Sequence, residues 1–169
     1  MKNISTLLIL FLTMSIYAQK DWKQHSRDNY EISYPKEWKL DTSGQMNSSF
    51  ILFSEGKAAD SFNENINMVI QDLSLQGIDL DAFFDISKKQ INNDVQDGRM
   101  IYSRKEKRNN LEYYTTVWEA KMGKAFLKFK QHYYMKNDMV YILTLTTLPD
   151  TFIDYEAIAD EILKSFKLK

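Results

Sequence analysis

Apolar and polar side chains alternate with a period of two in the first half of the chain, which predicts β-strands. In residues 30–34, Tyr, Ile and Tyr alternate with Glu and Ser. Pro35 follows, and it has no N–H to give to a strand ladder. Trp38 comes in the turn behind it, where its ring can cover one end of a core. The runs 50–53 and 65–73 give the next two predicted strands.

The period changes to three or four residues from Leu80 onwards, which predicts an amphipathic helix over 79–95. Asp79 is well placed to cap the start of this helix. Asp97-Gly98 is expected to end it, because glycine tolerates the left-handed backbone that closes many helices.

A second helix is predicted over 151–166, where Thr151 and Asp154 resemble a capping box. A helix of this kind could bind a membrane or a partner protein. Its polar face is acidic, however, and anionic lipid would repel it. We expect the helix to dock against the sheet through one continuous apolar stripe: Tyr155, Ile158, Ala159, Ile162, Leu163 and Phe166.

Four long strands are predicted between the two helices, joined by two-residue turns in an antiparallel meander. The turn at Gly123-Lys124 sets Trp118 opposite Phe129 on an apolar face, and Glu119 opposite Lys128 on the other face. Both faces make physical sense in this register. The predicted strands are 99–107, 111–122, 125–135 and 139–147, with further turns at 109–110 and 137–138.

The second face of this meander carries an unusual number of aromatic side chains. It is too apolar to lie wholly in water, so a sheet with helices on both sides is expected. If this face were left open, it would suit a protein or peptide partner. The candidate binding face consists of Tyr102, Tyr113, His132, Tyr134 and Tyr141.

The beginning of the chain resembles a secretory leader. Lys2 provides the positive charge, 7–12 is the apolar centre, and a small residue ends the segment 1–18. An uncleaved membrane anchor would need about 20 apolar residues. We therefore expect a cleavable signal peptide, a polar lead-in over 19–29, and a single domain over 30–169 with no transmembrane segment after cleavage. This places the mature protein in the periplasm or outside the cell.

Composition removes several classes of protein. The 169 residues include no cysteine, so a lipoprotein anchor and disulfides are excluded. The net charge is −1, which gives no broad attraction to nucleic acid. The mature chain must depend on its hydrophobic core, and the 14% of aromatic residues contribute large buried areas to it.

One local run of charge occurs at a predicted hairpin tip, where Arg104, Lys105, Lys107 and Arg108 surround Glu106. A solvated turn explains such a run, since alternating Lys and Glu also protect an edge strand from aggregation. The alternative is a basic docking tip for an acidic partner or a lipid headgroup.

Catalytic and metal chemistry have few candidate residues. His25 lies in the polar lead-in and is expected to be solvated. His132 lies in a strand, but no local cluster of His, Cys or carboxylate supplies further metal ligands. No Gly-x-Ser-x-Gly elbow or Gly-rich phosphate loop is present. The sequence therefore predicts no cofactor and no enzyme, and a catalytic site would need carboxylates from distant strands to converge near His132.

The order of these elements resembles the PsbP-like family, which includes bacterial envelope relatives such as DcrB. The resemblance covers residues 29–168 and depends on three motifs: Tyr30-x-Ile-x-Tyr-Pro-x-x-Trp38, Glu64-Asn-Ile-Asn67 and Ile162-Leu-Lys-Ser-Phe166. It implies an α+β chain folded as an α/β/α sandwich around an antiparallel sheet. Relatives bind other proteins and share no established catalytic centre, so no functional residue is transferred to this chain.

The resulting hypothesis is a noncatalytic, exported binding or accessory module of the cell envelope. One alternative is a carrier or chaperone for a hydrophobic peptide or lipid, held between sheet and helix. A second alternative is a hydrolase-type enzyme. A deep apolar cleft would favour the carrier, converged ionisable groups the enzyme, and a flat aromatic patch the docking module.

Overall fold

A computed structural model describes residues 21–55 and 62–169. The predicted leader, 1–18, lies outside the described residues. Within residues 21–55 and 62–169 no helix is long and apolar enough to cross a membrane. The elements are β1 (Trp22–Ser26), β2 (Tyr30–Pro35), β3 (Lys39–Asp41), a 3-10 turn (Gln45–Asn47), β4 (Phe50–Phe53), β5 (Asn65–Asp72), α1 (Leu80–Asn93), β6 (Arg99–Arg108), β7 (Leu111–Met122), β8 (Ala125–Lys136), β9 (Met139–Thr147), α2 (Phe152–Ser165) and β10 (Lys167–Leu168).

The centre of the fold is a seven-stranded antiparallel sheet with the order β3-β4-β5-β9-β8-β7-β6. The meander registers are as predicted: Trp118 pairs with Phe129, and Glu119 pairs with Lys128. All three predicted turns contain two residues. Asn109, Asn110, Asn137 and Asp138 all adopt positive φ, the conformation that tight hairpin turns require.

The segment 30–34 was predicted to be a strand of the central sheet, but it belongs to a second, three-stranded sheet with the order β1-β2-β10. Part of the predicted lead-in is β1, which pairs antiparallel with β2 up to Pro35. His25, expected to be solvated, is buried. It packs against the rings of Tyr30 and Phe50, with centroids 5.9 and 5.7 Å away.

The two faces of the central sheet are both covered, as an α/β/α sandwich requires. Helix α1 packs Phe83 and Phe84 on one face, where Phe84 stacks on Tyr114 with centroids 3.9 Å apart. Helix α2 and the small sheet cover the opposite face and enclose the largest core cluster. Trp38 is buried in that cluster, as its position in the turn predicted.

Helix α1 begins as predicted and ends differently. The Asp79 carboxylate accepts a 2.8 Å hydrogen bond from the backbone N–H of Ala82. The helix ends at Asn93, and Asp97 rather than Gly98 takes the left-handed backbone, with φ +53°. Gly98 is required for space instead, because a Cβ there would lie 1.9 Å from the carbonyl oxygen of Ile91.

Helix α2 begins without the predicted capping box. Thr151 is the N-cap residue, but its side chain makes no capping hydrogen bond. Its hydroxyl donates to Glu64 Oε1 at 2.6 Å instead. Glu64 is buried directly before β5, so this bond connects the helix to the sheet. The Glu64 motif of the sequence is therefore a structural feature.

Candidate functional site

A cluster of ionisable side chains lies between α2 and the strands β6, β7 and β8. Lys130 is buried on β8 and its Nζ lies 3.0 Å from Glu156 Oε1 and 2.5 Å from Asp160 Oδ1 on α2. Burial alone would lower the pKa of Lys130, but hydrogen bonds to both carboxylates outweigh it and raise the pKa. Lys164 extends the network with a 3.1 Å contact to Asp160.

The β6 side of this cluster has its own carboxylate. Glu106 accepts hydrogen bonds from Arg104, at 2.9 Å, and from the hydroxyl of Tyr113, at 3.2 Å. Burial would raise the pKa of Glu106, but the neighbouring Arg104 and the hydrogen bonds lower it. Both charged halves of the cluster are thus paired within the chain.

His132 lies at the bottom of the cluster and is only 2% exposed. Its Nδ1 lies 3.2 Å from the hydroxyl of Tyr134, and its ring packs on Tyr113 with centroids 5.1 Å apart. Burial lowers the pKa of His132 to about 4, so the ring is neutral at pH 7.

The arrangement therefore does bring Glu106 and Asp160 towards His132, as the enzyme alternative required. The space that these groups line is only about 120 Å³, whereas sites for small molecules usually hold about 300–1,000 Å³. No group of three His, Asp or Glu residues suited to a metal ion occurs in the described part of the chain. The geometry fits a cluster of ion pairs and hydrogen bonds that holds α2 against the sheet.

The candidate aromatic face is largely inside the molecule. Tyr113, Tyr134 and Tyr141 are buried together with His132, and only Tyr102 reaches solvent, at 41% exposure. Phe166, directly after α2, lies 5.2 Å from Tyr134 and 6.2 Å from Tyr141 by ring centroids. These four buried side chains therefore do not form an open patch with Tyr102, because α2 and the residue after it cover them.

The four cations of the basic run are spread along β6 on both faces of the sheet. Arg104 pairs with Glu106 on the α2 side. Lys105 contacts Asp81 of α1 at 2.7 Å and Glu112 at 3.1 Å, on the α1 side. Lys107 and Arg108 lie next to the Asn109-Asn110 turn. The four cations therefore lie along the edge strand β6, with Lys107 and Arg108 at its turn end.

A groove of about 370 Å³ runs beside α1, on the face away from α2. Its apolar lining includes Phe83, Ile86 and Trp118. Its floor is polar, because Gln131 Oε1 accepts a 2.7 Å hydrogen bond from Trp118 Nε1, while Gln131 Nε2 donates to Thr144 at 2.9 Å. A larger open depression, about 700 Å³, lies at the start of α1. The groove thus lies between α1 and the sheet, with an apolar wall and a polar floor, whereas the depression is open.

Exposed apolar side chains concentrate in the half of the sheet nearer the β7–β8 turn. Met122 and Phe126 flank that turn, Ile101 and Tyr102 lie near the start of β6, and Ile153 is in the first turn of α2. Helix α2 starts at this end, since Phe152 lies under Lys128 with 4.5 Å from Nζ to the ring centroid. Five of the eight large hydrophobic residues exposed in the described chain belong to this "apolar end".

Sequence reasoning did not identify the apolar end. Phe126 and Ile153 occupy polar-facing positions of a regular strand and helix, and this mismatch with the pattern is the signal that could have revealed them. Ile101 is exposed because the β6–β7 register shifts between Met100 and Tyr102, and a β-bulge of this kind is not visible in the pattern of side chains.

No family model matches this sequence, and the search of curated proteins found no relative. Solved structures do share its fold. The cyanobacterial PsbP (CyanoP) of Synechocystis is 16% identical, with a TM-score of 0.61 over 89% of this chain and 94% of that one.

Two further structures match this chain with similar TM-scores. PA94 of Pseudomonas aeruginosa, a protein of unknown function, is 10% identical with a TM-score of 0.63 over 85% of this chain and 94% of its own. LpqN of Mycobacterium tuberculosis, involved in cell envelope biogenesis, is 10% identical with a TM-score of 0.63 over 90% of this chain and 94% of its own. The resemblance seen in the sequence motifs is confirmed at the level of the fold: this chain has the PsbP-like α/β/α sandwich.

Proposed function

We propose that this chain is a noncatalytic binding module of the cell envelope that docks onto another protein through its apolar end. The observation that carries the proposal is the concentration of exposed apolar side chains there. Phe126 is 42% exposed, Ile153 is 74% exposed and Tyr102 is 41% exposed. Tyr102 lies farther from the turn than Phe126, level with Val117 of β7. Single exposed apolar residues are ordinary on protein surfaces, but a group of them marks an interaction site.

The interior of the fold supports a binding role over a catalytic one. His132 is enclosed, neutral and hydrogen-bonded to Tyr134, and the carboxylates near it are paired with Lys130 and Arg104. A general base needs access to the proton that it removes. A hydrolase would require this cluster to open, and the proposal assigns it to holding α2 in place.

Export to the periplasm or the exterior is part of the proposal. It depends on the leader over 1–18, and LpqN, with the same fold, is involved in cell envelope biogenesis. Cleavage can be checked by mass spectrometry of the mature protein from the envelope fraction, which should begin after Ala18.

A carrier role is the second candidate, and the groove beside α1 favours it. Phe83, Ile86 and Trp118 give that groove an apolar wall of a size suited to a small ligand. Binding of a fatty acid there should change the fluorescence of Trp118, and Ile86→Asp should abolish the change. An unchanged emission at saturating fatty acid would remove this candidate.

The docking proposal is tested with two matched double variants. Tyr102→Ser with Phe126→Ser removes two rings of the apolar end, whereas Met46→Ser with Leu75→Ser removes two exposed apolar side chains elsewhere. Chemical crosslinking in the native envelope should yield a discrete adduct with the unmodified chain and with the control. The first variant should lose at least about 80% of it, since buried aromatic anchors dominate binding energy. Equal adducts from both variants would overturn the proposed surface.

A further inference from the structure

Strand β6 is the last strand of the seven-stranded sheet, and it is long. It contains ten residues and pairs with β7, while no other strand pairs with it in the described chain. The opposite edge, β3, has only three residues. An edge strand presents unpaired N–H and C=O groups that another extended chain can use. The β6 edge is therefore the longer of the two edges of the seven-stranded sheet.

The charge of β6 selects among the chains that could use this edge. The strand carries five basic residues and one carboxylate, a net charge of +4. Three of the cations make ion pairs: Arg99 with Glu119, Arg104 with Glu106, and Lys105 with Asp81 and Glu112. The arginines and their partners lie at or near the surface, where such pairs contribute about 0–1 kcal/mol, so carboxylates of a partner can replace them at small cost.

Lys107 and Arg108 strengthen this selection, because in residues 21–55 and 62–169 neither side chain forms an ion pair within 4.0 Å. The beginning of the strand is apolar instead. The register shift there leaves Ile101 and Tyr102 both exposed. One edge thus combines two apolar side chains with a basic stretch of backbone.

We propose that β6 accepts an extended acidic segment of a partner protein as an eighth strand of the sheet. The inference deepens the proposed function and rests on it, since Ile101 and Tyr102 belong to the apolar end. A second copy of the chain is a poor occupant, because pairing β6 with β6 would bring a net charge of +4 against another of +4. An acidic segment would hydrogen-bond to the open edge of β6 and would also neutralise its positive charge.

The test uses three synthetic peptides of about ten residues: alternating Glu and Val, alternating Lys and Val, and the Glu peptide with two Val replaced by Pro. The Pro peptide keeps the charge but cannot complete a ladder. Amide hydrogen exchange is followed across β6. The Glu–Val peptide should slow exchange in Tyr102–Arg108 at least about tenfold, and the other two peptides should not, because they lack either the charge or the N–H groups.

A matched pair of charge reversals locates the binding. Lys107→Glu, on β6, should lower the affinity for the Glu–Val peptide about five- to tenfold, given the energy of exposed ion pairs and the added repulsion. Lys39→Glu makes the same change on the opposite edge strand and should leave the affinity unchanged. Equal effects of the two variants would mean a general charge response and would overturn the inference.

The remaining outcomes are also decisive. Equal binding of the Glu–Val and Pro peptides, no protection of β6, or a β6-mediated homodimer in light scattering each overturns the edge site. The proposed function is judged separately from the envelope crosslink. If the crosslinked adduct survives Lys107→Glu while β6 gains no protection, the edge inference fails and the docking module stands. If the unmodified chain gives no adduct at all, the docking module itself fails.

Discussion

Lys130 Nζ lies 2.5 Å from Asp160 Oδ1, so a buried ammonium group on β8 is paired with a carboxylate of α2. Glu156, one turn earlier on α2, contacts the same nitrogen at 3.0 Å. Removing water from a charge is costly unless partners replace the lost hydrogen bonds. Helix α2 is thereby fixed over the aromatic face that the sequence suggested as a binding surface.

Substitutions of Lys130 and of Asp160 should have unequal effects on the free energy of unfolding. Asp160→Ala leaves a buried ammonium with fewer partners and should lower the free energy of unfolding by about 2–3 kcal/mol. Lys130→Met keeps the volume and removes the buried charge, while Asp160 retains Lys164, so its cost should be below about 1.5 kcal/mol. Urea denaturation measures both. Equal losses for the two variants would show that the pair is not buried as described.

The stability of the fold should depend on pH through His132. Its pKa is about 4 in the folded chain and 6.5 as the unperturbed value, because burial disfavours the charged ring. Between these values the unfolded chain binds more protons, so acidification favours unfolding. Stability is complete above pH 6.5 and falls as the pH decreases towards 4, by about 3 kcal/mol if the whole shift is realised.

The variant His132→Gln separates this effect from those of other groups. Lys130, Glu106, Asp160 and Lys164 all face His132 electrostatically, and they remain in the variant. Burial also lowers the pKa of His25, which contributes equally to both proteins. Unfolding free energies measured from pH 7.5 to 4.5 should fall more steeply for the unmodified chain than for the variant. Parallel curves would contradict the burial of His132.

Gly98 should be irreplaceable for a steric reason. A Cβ at this position would lie 1.9 Å from the carbonyl oxygen of Ile91, so Gly98→Ala must displace the end of α1. The expected loss is about 2 kcal/mol or more. Gly44→Ala is the control, because its Cβ would meet nothing within 4 Å although φ is +82°; its loss should be about 1 kcal/mol. Thermal unfolding measures the loss of stability in both variants. A smaller loss for Gly98→Ala than for Gly44→Ala would contradict the close approach of Gly98 to Ile91.

The meander could be predicted from sequence because its information is local. A two-residue turn fixes the register of its two strands, and the pairs Trp118–Phe129 and Glu119–Lys128 report whether that register is sensible. Strand β1 could not be predicted from the sequence, since His25 is its only buried residue and its other side chains are polar or partly exposed. Strands β3 and β10, with three and two residues, are too short for a period to appear.

The site was harder to predict because its partners are distant in sequence. Lys130 and Glu156 are 26 residues apart, and Thr151 and Glu64 are 87 residues apart. The second pair also bears on the incorrect capping box: the Thr151 hydroxyl donates to Glu64, and its oxygen does not accept the helix N–H that a capping box requires. Tertiary contacts of this kind override a local motif.

Site-specific photocrosslinking in the native envelope tests the central proposal most directly. A photoreactive amino acid is placed at Phe126 in the apolar end, which is 42% exposed, and in a separate variant at Leu75, which is 98% exposed but lies outside it. The account predicts one discrete protein adduct from position 126 and none from position 75. The same adduct from both positions, or no adduct from 126 in cells that export the folded protein, would contradict it.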